Sequence, residues 1–255
     1  MTDEFDIASR HAIASVEAAA LRDEPFPHIV VPDFLPAPLY ARMLDLWPAQ
    51  ELFATTNAMR RRELWLREHW NDLQGAQGQT WRLVARVLRY VNPVIFKRFE
   101  VYLSSKFMPY LGKSWRDHVK KLPLIMSGVQ LASYRGTIGL PPHVDHARIV
   151  TNAFLYCNER PQAEAEQATV LYRSLGLALP TNMNIDGADL SRHMRVAEIV
   201  PYQPNLCLAF LNTPRSFHGV DSRDIGERER RLVIFNSSVK SSDAVRLFGE
   251  AAAQA

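Results

Sequence analysis

Three side chains offer the most direct chemistry in this sequence. His143 and Asp145 are separated by one residue in Pro142-His143-Val144-Asp145, and His218 follows far downstream, after an apolar run that starts at Leu206. In extended backbone, positions i and i+2 share a face, so this imidazole and carboxylate can meet near one point if the segment is extended but bent. Two imidazoles and one carboxylate form a facial set that leaves coordination positions open and suits non-haem Fe(II). Zinc, with a water as fourth ligand, is served by the same three groups. The set closes only if the fold carries His218 to the other two. His146 adjoins the set, and its position suits an outer or outward-facing role. A Gly-x-Ser-x-Gly nucleophile, a P-loop and a dinucleotide-binding glycine pattern are absent.

The elements that must position these groups change character along the chain. Residues 4–22 read as a helix, 25–34 as a short apolar strand turning at Pro32-Asp33, and 36–46 as a helix closed by Pro48. The Arg60-Arg61-Arg62 run and the following Trp65 and Trp70 read either as a solvated loop and helix start or as one wall of a substrate cleft. The spacing predicts two helices over 79–91 and 94–110, separated near Pro93, with an apolar face of Val84, Val87, Leu88 and Val91. After Pro123 the pattern turns to short β-rich runs over 124–134, 148–157, 168–174, 196–200, 206–211 and 231–239. The segment 135–142, which precedes His143, reads as a turn. The fold expected is mainly β with flanking helices. It is a single domain over 1–255, in which 1–122 supplies a strand and helices that support a double-sheet jelly-roll core over 123–240.

Composition excludes several classes of protein. The chain has 255 residues, 47% hydrophobic and 22% charged, with 30 basic against 27 acidic side chains and a net charge of +3. This is a folding composition rather than a disordered or fibrous one. The small net charge does not call for nucleic acid. No stretch approaches the ~20 apolar residues of a membrane span, and the acidic start MTDEFDIASR has no apolar signal run. A soluble, cytoplasmic protein is expected. Cys157 and Cys207 sit in apolar runs and read as buried thiols.

The order of these pieces resembles the Fe(II)/2-oxoglutarate-dependent dioxygenases, specifically their prolyl-4-hydroxylase-like branch. The resemblance rests on the strand Gln130-Leu131-Ala132-Ser133-Tyr134, on Gly136 and Gly139, and on Pro142-His143-Val144-Asp145. It continues through Leu155-Tyr156-Cys157-Asn158, His218-Gly219-Val220 and Arg230-Arg231-Leu232-Val233-Ile234-Phe235, and it covers roughly residues 24–238. Phe26-Pro27-His28-Ile29-Val30 and Pro32-Asp33-Phe34-Leu35 are similar to the family's opening strand and the helix after it. The sequence departs from the family at 164–172, where a Gly-Gly-Glu turn is common, and in a long polar stretch over 174–195 that reads as a lid or a plain surface loop.

The resemblance implies a double-stranded β-helix of the jelly-roll, cupin-like type. Iron would sit at one mouth of the barrel, held by His143, Asp145 and His218, with 2-oxoglutarate and O2 as cosubstrates. A cation deeper in the barrel would hold the outer carboxylate of 2-oxoglutarate, and a guanidinium fork matches a carboxylate well. Arg230 and Arg231 compete for this role, because neighbours on a strand face opposite ways. An inward Arg230 brings Leu232, Ile234 and Asn236 with it, whereas an inward Arg231 brings Val233, Phe235 and Ser237. Arg230 is preferred on the family pattern, and Arg228 is a third choice. Tyr156 and Tyr134 are the expected second partners of the cosubstrate. Asn152 and Phe154, which share strand parity with Tyr156, are expected to line one wall, and Arg215 to hold an anionic substrate group near the mouth. The implied reaction hydroxylates an unactivated C–H bond of a small molecule, with release of succinate and CO2. Peptidyl or protein side-chain hydroxylation is the alternative within the family. A cupin-like metal-dependent isomerase or hydrolase and a non-catalytic barrel binding protein are the readings outside it.

Overall fold

The computed structural model describes residues 3–55, 61–120, 122, 124–126, 128–158, 168–181, 183–184, 189 and 192–249. The first helix, α1 (Glu4–Ala18), buries Ala8, Ala12 and Val16 at four-residue spacing. It stops short of residue 22 because the chain turns extended at Ala19. Strand β1 (His28–Val31) follows, with its turn at Asp33 in a left-handed conformation (φ 47°), and then α2 (Ala37–Asp45). β2 (Ala54–Thr55) and β3 (Arg62–Trp65) form an edge ribbon, so the Arg62–Trp65 segment is strand rather than loop and helix start. Arg60 lies outside the described residues.

The long helix α3 (Gly75–Arg98) runs through Pro93, where the sequence predicts a break. Proline removes one i→i−4 hydrogen bond. Here tertiary contacts grip the helix on both sides of it: Val84, Val87, Leu88, Val91 and Ile95 are all buried. Asn92 donates to the Phe235 carbonyl (3.2 Å) and accepts from Ser237 Oγ (2.5 Å). The chain breaks instead beyond Phe99, before α4 (Leu103–Leu111) and α5 (Trp115–Val119).

The remaining strands are β4 (Leu124–Met126), β5 (Gln130–Tyr134), β6 (Thr137–Val144), β7 (Ile149–Tyr156), β8 (Thr169–Ser174), β9 (Met183–Asn184), β10 (Met194–Val200), β11 (Cys207–Leu211), β12 (His218–Asp224), β13 (Arg230–Ile234) and β14 (Ser237–Val239). A last helix, α6 (Ser241–Phe248), closes the described chain. Among the described residues, one sheet runs β1-β11-β7-β13-β5-β3-β2, with β14 and β4 attached, and a second runs β10-β8-β12-β6-β9. All pairings are antiparallel.

Period-two alternation decides what each strand of the larger sheet shows to either side. On β11, Cys207, Ala209 and Leu211 face the helices, while Leu208 and Phe210 face the second sheet. On β13, Val233 joins the helix-side core and Leu232 and Ile234 join the inter-sheet core. The helices therefore cover one face of the larger sheet, and the other face closes a barrel against the smaller one. Cys157 and Cys207 are free and buried, and burial pushes both thiols up. No described helix is long and apolar enough to cross a membrane.

Candidate metal and cosubstrate site

His143 is not at the end of a turn. It belongs to β6, and the register of β6 against β12 sets it directly opposite His218. The two rings lie 4.3 Å apart between centroids. Asp145 comes one residue after β6 ends, with its carboxylate 3.6 Å from His143 Nε2 and 3.3 Å from His218 Nε2. All three ligand atoms lie within 4.8 Å of one another.

Both imidazoles are oriented in the same way. His143 Nδ1 is 3.0 Å from the Pro141 carbonyl, and His218 Nδ1 is 3.0 Å from the Ser216 carbonyl. Each Nδ1–H therefore donates to a carbonyl two residues back, which points both Nε2 atoms at Asp145. An outer hydrogen bond of this type fixes tautomer and ring orientation at metal sites. Burial alone would raise the Asp145 carboxyl, but His218 and His143 outweigh it and hold the group well below the usual carboxylate range. Burial likewise opposes charge on His218, yet Asp145 raises its pKa. Two nitrogens and an anionic oxygen converging at this spacing are the donor set that a divalent transition metal takes.

Residues not read as site residues hold the Asp145 segment. Asn212, 1% exposed, directs its amide at the carbonyls of Asp145 (3.3 Å), His146 (3.0 Å) and Ile149 (3.1 Å). Lys106 on α4, also 1% exposed, donates to the Ala147 carbonyl (2.7 Å). Asn152 lines the cavity, as expected, and its amide also donates to Asp145 Oδ2 (2.6 Å). His146 is buried and lines the cavity rather than facing outward.

Burial pushes the Lys106 amine down to about 7, with Asp145 partly opposing. A lysine depressed in the fold carries a stability cost that is full below about pH 7 and fades as pH rises toward the ordinary 10.5. Lys106→Met should flatten the rise of melting temperature between about pH 7 and 10 relative to the parent. An unchanged slope in thermal melts would refute that assignment.

Gly219 follows His218, and a Cβ there would lie 2.5 Å from the Leu140 carbonyl oxygen. That contact is with backbone, so β12 and β6 would have to part beside the two histidines. Gly219→Ala should cost about 1–3 kcal/mol in denaturant titrations and weaken metal binding. A variant as stable as the parent would show that the strands yield at no cost.

The three ligand residues line a cavity of about 370 Å³ between the sheets. Arg230 lines it too and is 2% exposed. Its guanidinium carbon sits 5.6, 5.7 and 5.2 Å from the ring centres of Tyr134, Tyr156 and Tyr202, and Nη2 is 3.5 Å from Thr169 Oγ1. Arg231 faces the other way, toward Glu229 (2.8 Å) and over the Trp47 ring (5.3 Å). Arg228 does not line the cavity and donates to the Ile225 carbonyl (3.1 Å). Tyr134 and Phe154 line the cavity.

Two expectations need correction. Tyr156 does not line the cavity; its hydroxyl donates to Thr169 Oγ1 (2.6 Å), and Thr169 holds the wall position. Burial pushes this phenol up to about 12, against the pull of Arg230, so it stays a donor. Arg215 is exposed and borders a separate surface cavity with Asp23, Tyr102 and Ser105. The turn Thr213–Ser216, closed by bonds from Ser216 N to the Thr213 carbonyl and from Arg215 N to Thr213 Oγ1, aims it away from the metal site. Thr169 and Asn212 carry no sequence signal, because their partners are set only by strand pairing. Of the 174–195 stretch, the described part contributes β9, which pairs with β6 at His143 and Val144. The 164–167 segment lies outside the described residues.

No protein-family model matches this chain, and no curated protein matches it. Among solved structures it is similar to a prolyl hydroxylase from Trichoplax adhaerens, in complex with a peptide fragment of the hypoxia inducible factor oxygen degradation domain. That likeness covers 93% of this chain and 91% of the other, with a TM-score of 0.51 at 11% identity. A Pseudomonas putida prolyl-4-hydroxylase matches over 90% and 99%, with a TM-score of 0.49 at 14% identity. The non-heme alpha ketoglutarate dependent epimerase SnoN from nogalamycin biosynthesis matches over 90% and 82%, with a TM-score of 0.48 at 11% identity. The first of these shows the fold class: the chain has the fold of a prolyl hydroxylase, a jelly-roll core with helices packed on one face.

Proposed function

We propose that this protein is a non-haem Fe(II)/2-oxoglutarate-dependent oxygenase that hydroxylates an unactivated C–H bond of a small molecule and releases succinate and CO2. The observation that carries the reading is one cavity holding both His143–Asp145–His218, with ligand atoms within 4.8 Å, and the buried Arg230. A cupin-like isomerase or hydrolase needs the first feature and has no use for the second.

His143, Asp145 and His218 would hold the metal, which when bound supplies the activation of O2 and the oxidising power. The chain's own groups do the rest. The Nδ1–H bonds to Pro141 and Ser216 keep both Nε2 lone pairs directed at the metal position. Asn152 holds the carboxylate of Asp145 in place. Arg230 presents a rigid fork to the outer carboxylate of 2-oxoglutarate, with Thr169 beside it and the Tyr134, Tyr156 and Tyr202 rings around it. Ile138, Leu140, Phe154 and Leu232 make apolar walls that keep water from the reacting face.

The small-molecule reading rests on the cavity volume of about 370 Å³, a size typical of metabolite sites. A peptidyl side chain is the second reading, favoured by the likeness to a prolyl hydroxylase solved with a peptide. The test is anaerobic titration of the folded protein with Fe(II) and 2-oxoglutarate, following the metal-to-ligand charge-transfer band. Appearance of the band supports the reading, and its absence overturns it. Succinate release over a panel of metabolites and peptides then separates the two substrate classes.

A further inference from the structure

Charge along the cavity wall singles out one more side chain. Apart from the Tyr134 phenol, the ionisable lining groups are Arg61, His143, Asp145, His146, Arg148, His218 and Arg230. Arg61 is paired with Glu63 (2.5 Å). A divalent cation, the dianion of 2-oxoglutarate, Asp145 and Arg230 together balance to neutrality. Arg148 remains. Its guanidinium donates to the neutral hydroxyl of Ser241 (3.1 Å), and among the described residues no carboxylate pairs with it. Its place is set by its backbone: its N–H donates to His146 Nδ1 (3.2 Å), and the segment around it is gripped by Asn212 and Lys106. The lining of the same cavity includes the apolar and aromatic side chains of Ile149, Ile234 and Trp65 and the amides of Gln130 and Asn236.

A cation on a cavity wall with only a neutral partner is electrostatically matched by an anionic ligand. We propose that Arg148 is the substrate-specificity residue of this cavity, and that the substrate is an amphipathic anion. Its carboxylate or phosphate pairs with Arg148, and its apolar body lies against Ile149, Ile234 and Trp65. This rests on the oxygenase reading only for the charge balance. The cavity lining and the Ser241 contact stand without it.

The test is calorimetric binding of matched probes to the Mn(II)- and 2-oxoglutarate-loaded protein without O2. One arm uses 3-phenylpropanoate and 3-phenylpropanamide, and the other uses phenyl phosphate and phenol. The anionic member of at least one pair should bind more tightly than its neutral partner. Arg148→Gln should weaken it about tenfold to a hundredfold, the range of a charge-assisted hydrogen bond, and Arg148→Lys should recover part of that loss. The arm that responds identifies the anion. Equal binding of anionic and neutral members, no anion binding at millimolar concentration, or unchanged affinity in Arg148→Gln would each overturn the proposal. If Arg148→Gln abolishes the charge-transfer band and Arg230→Gln keeps it, Arg148 anchors the cosubstrate; this inference then fails while the oxygenase reading stands. If no band forms in any variant but anion binding still depends on Arg148, the oxygenase reading fails alone.

Discussion

Replacing His218 with alanine is expected to abolish stoichiometric Fe(II) binding and all 2-oxoglutarate turnover. His218 supplies one of three ligand atoms, and its cross-strand neighbour His143 supplies another. Nothing else among the described residues completes a cluster of three such groups. Loss of an outer partner of a metal ligand costs about 10–100-fold in affinity, and loss of a ligand should exceed that. The imidazole is 3% exposed and packs against Phe210 (4.7 Å between ring centres) and Phe154 (6.2 Å). Some instability therefore accompanies the change, and a conservative His218→Gln variant separates the two effects. Metal content after dialysis and circular dichroism are the measurements. A folded variant that keeps one equivalent of metal would remove His218 from the site.

Arg230→Met should remove 2-oxoglutarate affinity while leaving metal binding in place. Truncating one partner of a buried charge pair costs about 2–5 kcal/mol, which is roughly a thirtyfold to several-thousandfold rise in dissociation constant. A ligand that binds only the folded state raises its stability as RT ln(1 + [L]/Kd). The rise in melting temperature on adding 2-oxoglutarate should therefore vanish in Arg230→Met and persist in Arg231→Gln, whose side chain faces Glu229 and Trp47. The opposite pattern would move the anchor to Arg231.

The clustering of His143, Asp145 and His218 was legible because these residue types are uncommon at that spacing and sit in a recognisable order of strands. Alternation alone left Arg230 and Arg231 open, since each brings apolar neighbours with it, and the preference for Arg230 came from the family pattern; strand pairing is what turns Arg230 into the cavity and Arg231 toward Glu229 and Trp47. Less legible was β6, whose Gly139-Leu140-Pro141-Pro142 text reads as a turn. The structure keeps it as strand because its pairing with β12 is irregular just there, with register breaks between His218 and Val220 and between Val220 and Arg223. Prolines are tolerated in strands at such irregularities. β12 itself is polar from Asp221 to Asp224 because those residues are largely outward-facing. Pro93 misleads for a different reason: buried neighbours on both sides outweigh one lost hydrogen bond. Lys106, Thr169 and Asn212 were silent because each acts through a partner distant in sequence.

The pairing of His143 with His218 also bears on how the protein assembles. These two strands are far apart along the chain, so closing the loop between them carries an entropy cost, and contacts of that kind form slowly. An unfolded polypeptide has no preformed nest for an ion, so the affinity of a metal bound here would add directly to folding free energy. A bound cation would act as a clasp across the seam between β6 and β12. Chelation should accordingly accelerate unfolding at this seam first, with amide exchange rising in those two strands before it rises in the helix-covered sheet.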